Sequence, residues 1–157
     1  MRGDETSREI IVLAYGMEEG LRGFYAEVSG ETDDPDVAEL AARLSKIEDR
    51  HKERLFDLYL TLDPGLADRE AFEADIVAGI MEGGFTTAEF LNQNREAMTT
   101  APDLLNLAMM LETQALDLYM RYSEKILDDP GKGVLYDLAE EEKGHLTRLG
   151  RLMEEKV

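Results

Sequence analysis

The chain has 157 residues, the size of one domain, and carries 17 Lys and Arg against 35 Asp and Glu, a net charge of −18. Such an acidic surface repels phosphate backbones and anionic headgroups, so it argues against nucleic acid and membranes as partners and favours cations. The alternative is that the charge only keeps the chain soluble. Because the chain has no cysteine, disulfides, thiolate metal sites and thiol nucleophiles are excluded, and a cytoplasmic location is expected. The polar N-terminus does not resemble a signal peptide.

The first half of the chain predicts two long helices. Thr6 and Glu9 are spaced as a capping box, and apolar residues with a period of 3.6 follow to about Gly30. Asp34-Pro35 places a capping residue before a first-turn proline, which predicts a second helix to about Leu62.

The second half predicts two more long helices. Thr100 and Pro102 begin a third helix that reaches about Leu127, and a fourth runs close to the C-terminus. Asp129-Pro130-Gly131 is predicted to form a tight corner between them. Short connections of this kind join antiparallel neighbours.

Residues 63–100 form a long crossover between the second and third helices. Phe72, Ile76 and Ile80 are spaced to share one helical face, and Thr86 with Glu89 predicts another short helix. No strand pattern of any length occurs. The sequence therefore predicts an all-α fold, a four-helix bundle of ferritin-like type with one helical crossover, in a single domain over 1–157.

The two halves repeat when the sequence is shifted by 94 positions. "AYGMEEGLRGFY" then lies over "AMMLETQALDLY", and the shift superimposes Glu18 on Glu112 and Glu48 on Glu142. In both halves 30 positions separate the two glutamates. Equal hairpins would place these residues at equal depths in the bundle.

Each long helix has one glutamate on its apolar stripe, and each of the two histidines follows such a glutamate by three positions. Four buried carboxylates without cations would each cost several kcal/mol, and no Lys or Arg lies on the stripes. Two divalent cations would balance their charge, and neutral imidazoles would complete the coordination. The predicted ligands are Glu18, Glu48, His51, Glu112, Glu142 and His145.

This donor set follows the known pattern of a dinuclear carboxylate site in such a bundle, one Glu from each of two helices and Glu-x-x-His from each of the others. Oxygen-rich donors with one nitrogen per ion favour two iron ions or two manganese ions, with zinc as an opportunistic occupant. The alternative is a chance origin of Glu-x-x-His in an acidic chain, which the equal spacings disfavour.

Several further residues carry predictions. Tyr25 and Tyr119 lie two turns beyond their glutamates and are expected to hydrogen-bond ligand carboxylates, the alternative being ordinary core tyrosines.

Gly16, Gly20 and Gly23 lie opposite Glu18, where either the crossover or a second subunit would pack; the second alternative, a homodimer, is favoured. The flanking acids are expected to face solvent: Glu19, Asp49, Glu53, Glu140 and Glu141.

In the segments "AYGMEEGLRGFY", "IEDRHKERL", "AMMLETQALDLY" and "LAEEEKGHLTRL" the chain resembles the rubrerythrin branch of the ferritin-like superfamily. The resemblance implies that the six predicted ligands hold two irons, with Glu48 and Glu142 bridging, and that the centre reduces hydrogen peroxide or reacts with dioxygen. Two departures stand out. The cysteine-rich electron-donor domain is missing, which calls for a separate donor protein, and Ala115 replaces an additional glutamate.

Four functions remain open from the sequence. The first is a peroxide- or dioxygen-reducing diiron enzyme that is re-reduced by a partner. The second is ferrous oxidation for iron handling, and the third is manganese-dependent disproportionation of peroxide. The fourth is a structural or metal-sensing module in which the ions only stabilise the fold.

Overall fold

The computed structural model describes residues 6–63, 65, 68–76, 87–94, 98–125 and 129–157. Within these ranges the chain forms six helices and no strand, which confirms the all-α prediction. The helices are α1 (Ser7–Glu31), α2 (Pro35–Leu62), α3 (Arg69–Asp75), α4 (Thr87–Asn94), α5 (Ala101–Ser123) and α6 (Asp129–Lys156).

The predicted capping signals begin three of the long helices. At α1 the Glu9 N–H donates to Thr6 Oγ1 over 3.4 Å, and the Thr6 N–H donates to Glu9 Oε2 over 2.7 Å. A second such box, of Thr100 and Asp103, begins α5. At α2 the Asp34 carboxylate accepts from two backbone N–H groups of the first turn. These side chains satisfy donors that a helix N-terminus otherwise leaves unpaired.

Two predicted boundaries were wrong. Helix α5 ends at Ser123 rather than near Leu127, which lies outside the described residues, as does Ile126. Asp129-Pro130-Gly131 is not a corner outside the helix, because α6 begins at Asp129 and the three residues form its first turn. Proline is accommodated there because its missing N–H would have no helical partner.

The described part of the crossover packs against the first hairpin. The rings of Phe72 and Tyr15 meet edge to face with centroids 5.0 Å apart, and the Tyr59 ring lies 4.6 Å from Phe72. Ile76 is buried as well, whereas Ile80 and Thr86 lie outside the described residues.

Helix α4 contacts α1, and Gly16 and Gly20 of α1 are buried within the single chain. The single chain therefore already covers these two glycines. A homodimer through this face stays a prediction.

The long helices form two antiparallel hairpins, α1 with α2 and α5 with α6, and each hairpin packs extensively within itself. Arg8 at the start of α1 donates to the carbonyl of Leu62 at the end of α2 over 2.7 Å. Lys156 at the end of α6 contacts Asp34 at the start of α2 over 2.8 Å. The hairpins meet along α1–α5 and α2–α6, an arrangement compatible with the predicted bundle. None of the described helices combines the length and apolar character needed to cross a membrane.

Candidate metal centre

The six predicted side chains converge in the seam between the hairpins. Each of the six residues is 0% exposed. They form two groups, in each of which one donor atom per residue lies within 4.8 Å of the others. One group contains Glu18, Glu48, His51 and Glu142, and the other contains Glu48, Glu112 and His145.

The first group surrounds His51. Its Nδ1 atom lies 2.9 Å from Glu48 Oε2, 3.2 Å from Glu142 Oε1 and 3.4 Å from Glu18 Oε2. Three carboxylates from three helices therefore approach one imidazole nitrogen.

The second group repeats this arrangement around His145. Its Nδ1 atom lies 2.9 Å from Glu142 Oε2, 3.2 Å from Glu112 Oε2 and 3.5 Å from Glu48 Oε1. Glu48 and Glu142 thus each direct one oxygen toward His51 and the other toward His145. The two imidazole rings stack with centroids 5.5 Å apart and planes 11° apart.

Two tyrosines donate hydrogen bonds to Glu18 and Glu112, the outer carboxylates, each of which faces only one imidazole. The Tyr25 hydroxyl of α1 donates to Glu112 Oε1 of α5, and the Tyr119 hydroxyl of α5 donates to Glu18 Oε1 of α1. Burial, followed by the charges of nearby carboxylates, raises the pKa of both phenols well above its ordinary value. Both tyrosines therefore stay neutral donors, and the crossed pairs leave Glu18 Oε2 and Glu112 Oε2 facing the imidazoles.

In the described part of the chain the cluster lacks the Lys and Arg side chains that would normally accompany buried carboxylates. Among the described residues, no Lys or Arg forms an ion pair with Glu18, Glu48, Glu112 or Glu142. Lys52 is buried nearby, but its ammonium lies 2.5 Å from Glu19.

Seven buried side-chain atoms have no hydrogen-bond partner in the described part of the chain. All seven belong to residues of the cluster: Glu18 Oε2, both carboxylate oxygens of Glu48 and of Glu142, and His51 Nδ1 make six, and the seventh is His145 Nε2. The nearest imidazole nitrogens lie 2.9 Å from Glu48 Oε2 and Glu142 Oε2 without a hydrogen bond to them. Buried polar atoms are otherwise almost always paired, so this donor set fits divalent cations.

Without metal, the close carboxylates compete for protons. Burial is the largest cause that raises the pKa of Glu48 well above its ordinary range, and burial and Glu142 raise the pKa of Glu112 to about 8. Burial alone would lower the pKa of His145, but Glu112 and Glu142 outweigh it and raise the pKa to about 10. The metal-free cluster is thus partly protonated, and metal binding must release these protons.

The metal-free protein is expected to lose stability as the pH rises from 6 to 9. The unfolded chain releases the Glu112 proton near its ordinary pKa of 4.5, whereas the folded protein keeps it up to about pH 8. His145, with an ordinary pKa of 6.5 raised to about 10, acts in the same direction. The folded state binds more protons across this window, so its free energy of unfolding falls.

One pKa unit corresponds to about 1.4 kcal/mol, and about 1 kcal/mol shifts the melting temperature of a chain this size by about 2–4 °C. Thermal melts of chelator-treated protein should therefore show a fall of at least about 5 °C between pH 6 and 9. Glu112→Gln should flatten the profile. A melting temperature that rises over this range would contradict the prediction.

Two acids predicted to face solvent also have defined partners; Glu141 is 46% exposed, as predicted, whereas Glu19 is only 23% exposed. Glu141 lies 3.1 Å from His51 Nε2 and also contacts the Arg54 guanidinium. Glu19 accepts from Lys52 over 2.5 Å and pairs with Arg22. Both positions directly adjoin a stripe glutamate, so a helix-face assignment alone cannot show which of them reaches a neighbouring helix.

The other flanking acids agree with the prediction. The side chains of Asp49 and Glu53 are 58% and 62% exposed, and that of Glu140 is 72% exposed and pairs with Lys143. None of these three contacts the cluster in the described structure.

Comparison with known proteins supports the fold but names no function. No family model and no curated protein matches the chain. A solved structure described as a hypothetical protein from Pyrococcus furiosus is similar, with a TM-score of 0.73 and 22% sequence identity. The match covers 98% of this chain and 91% of that one, so the two share an overall fold.

Proposed function

We propose that this chain is a non-haem diiron protein of rubrerythrin-like type that reduces hydrogen peroxide or dioxygen with electrons from a separate donor protein. The observation that supports the proposal most is the set of six fully buried donor atoms without hydrogen-bond partners around Glu48 and Glu142. Structural carboxylates would be paired with cations or N–H donors, whereas metal ligands leave their lone pairs free for the ion.

The contacts support one ligand set for each ion. Glu18 and His51 would bind the first ion, and Glu112 and His145 the second. Glu48 and Glu142 would bridge the two ions, since each directs one oxygen toward His51 and the other toward His145. Four carboxylates and two imidazoles favour iron or manganese over softer metals.

The protein residues restrict which reactants reach such a centre. All six donor residues are 0% exposed, which favours a reactant as small as peroxide or dioxygen over an organic substrate. The Tyr25 and Tyr119 hydroxyls hold Glu112 and Glu18 in fixed orientations and would keep one oxygen of each available to the metals.

Two ferrous ions would supply the two electrons that, with two protons, convert hydrogen peroxide to two waters. The chain has no cysteine and so carries no rubredoxin-type iron site of its own. A separate donor protein would then return the electrons.

Anaerobic stopped-flow mixing of the diferrous protein tests this function. We expect fast oxidation by hydrogen peroxide and slow oxidation by dioxygen, followed by full re-reduction with a chemical reductant. Zinc-loaded protein is the matched control, because it has the same charge at the centre but no accessible redox change.

The other outcomes identify the competing functions. Fast oxidation by dioxygen but not by peroxide would favour ferrous oxidation for iron handling. Loss of peroxide with oxygen release by manganese-loaded protein would favour disproportionation. Inertness toward both oxidants would overturn the redox proposal and leave a structural or sensing role. Elemental analysis of protein purified from its own host would identify the native metal.

A further inference from the structure

The two halves of the candidate centre have similar contacts on the side that faces the donors, with Nδ1–carboxylate distances of 2.9–3.4 Å at His51 and 2.9–3.5 Å at His145. Glu48 and Glu142 are shared between the imidazoles, and each outer carboxylate receives one tyrosine hydroxyl. The clearest difference between the two positions lies behind the imidazole rings, at their Nε2 atoms.

On its outer side, His51 contacts a chain of charged side chains formed by Glu141, Arg54 and Asp137. Its Nδ1 atom faces the carboxylates, and its Nε2 atom lies 3.1 Å from Glu141 Oε2. The other oxygen of Glu141 accepts from Arg54, whose guanidinium also lies 3.6 Å from Asp137. A carboxylate that accepts from the distal N–H fixes the tautomer and the ring orientation, and it makes the metal-binding nitrogen a stronger donor.

His145 has no corresponding chain of charged side chains on its outer side in the described residues. Its Nε2 atom is buried and has no hydrogen-bond partner in the described structure. The position that corresponds to Glu141 after the 94-residue shift is occupied by Ile47, although Arg148 is present where the first half has Arg54. With Nδ1 bound to a metal, the proton must lie on Nε2, where a buried unpaired N–H costs free energy.

We propose that Glu141 makes the two metal positions unequal, so that the His51 position binds its ion more tightly and fills before the His145 position. This inference rests on the proposed dinuclear centre. Glu141 acts through His51 as a positioning residue, since its contacts in the described structure are with His51 and Arg54 and with none of the other donors.

Anaerobic titration with cobalt(II) alone tests the order of filling. Calorimetry should resolve two binding steps per chain, with dissociation constants at least about 10-fold apart. The imidazole N–H protons of cobalt-bound histidines shift strongly in proton NMR and can be assigned with His51→Gln and His145→Gln variants. After one equivalent the His51 N–H resonance should dominate, and after two equivalents that of His145 should join it.

Glu141→Gln is the decisive variant, and Glu140→Gln is its matched control. Both remove one negative charge, but Glu140 pairs only with Lys143 in the described structure. Glu141→Gln should weaken the first step by about 10–100-fold and speed solvent exchange of the His51 N–H. Glu140→Gln should leave both readouts unchanged.

Ile47→Glu tests the same idea in the other half. With Arg148 already in place, the new carboxylate should strengthen the second step and bring the two constants closer together. Ile47→Gln, which lacks the charge, should do so far less. If Ile47→Glu does not fold, the Glu140 and Glu141 pair still decides the question.

The possible failures are distinguishable. If wild-type protein does not bind two cobalt ions per chain, the dinuclear centre itself is wrong. If it binds two ions with equal affinity, fills the His145 position first, or responds equally to Glu140→Gln and Glu141→Gln, the role of Glu141 is wrong and the centre stands.

Discussion

Replacing Glu48 or Glu142 with alanine is expected to reduce bound metal from two ions per chain to at most one. Each of these carboxylates directs one oxygen toward each imidazole, so either substitution removes a ligand from both positions at once. It also leaves three carboxylates to balance four positive charges. Metal-to-protein ratios after dialysis against iron(II) or manganese(II), measured by elemental analysis, provide the readout.

Glu53→Ala is the matched control, because this glutamate lies on the same helix as Glu48 but is 62% exposed and pairs with Arg69. It should retain two ions. An alanine variant of Glu48 that still binds two ions with wild-type affinity would show that its carboxylate does not bridge them.

Removing the metal from the wild-type protein is expected to lower its melting temperature by about 10 °C. A ligand present at 1,000 times its dissociation constant stabilises the folded state by about 4 kcal/mol, and each kcal/mol is worth about 2–4 °C in a chain of this size. Metal removal also exposes the buried carboxylates to mutual repulsion, which only protonation or water can relieve. Differential scanning calorimetry before and after chelation measures the change.

The Glu48→Ala/Glu142→Ala double variant shows whether the loss comes from this centre. Its melting temperature should not respond to chelator, and it should lie above that of metal-free wild-type protein at pH 8 because two repelling carboxylates are absent. A wild-type melting curve that is indifferent to metal removal would contradict a metal site in the bundle core.

Much of this fold could be predicted because its signals are local. Capping at Thr6, Asp34 and Thr100 depends on residues within one turn, and the structure begins α1, α2 and α5 beside them. The burial of the cluster followed from the 3.6 period, which places Glu18 and Glu112 on apolar stripes. The repeat then implied that the glutamates of the two hairpins lie at equal depth in the bundle, and the structure brings the donors of both hairpins together.

The remaining features depend on contacts between helices. The contact of Glu141 with His51 depends on the distance between α2 and α6, which cannot be predicted from the sequence of either helix alone. Asp129-Pro130 was misassigned because the same dipeptide is compatible with a turn and with a helix start, and only the following residues decide between them. The crossed pairing of Tyr25 with Glu112, rather than with its own helix, was equally beyond a single-helix argument.

The internal repeat has a consequence for how such a centre can diverge. One hairpin holds a glutamate and a Glu-x-x-His pair, so two separate, identical hairpins related by a twofold axis would supply the same donors. That axis would impose identical surroundings on both imidazoles. Covalent linkage of the halves through residues 63–100 removes the constraint, and position 141 can hold an acid while position 47 holds isoleucine. A single mutation can then tune one ion without altering the environment of its neighbour.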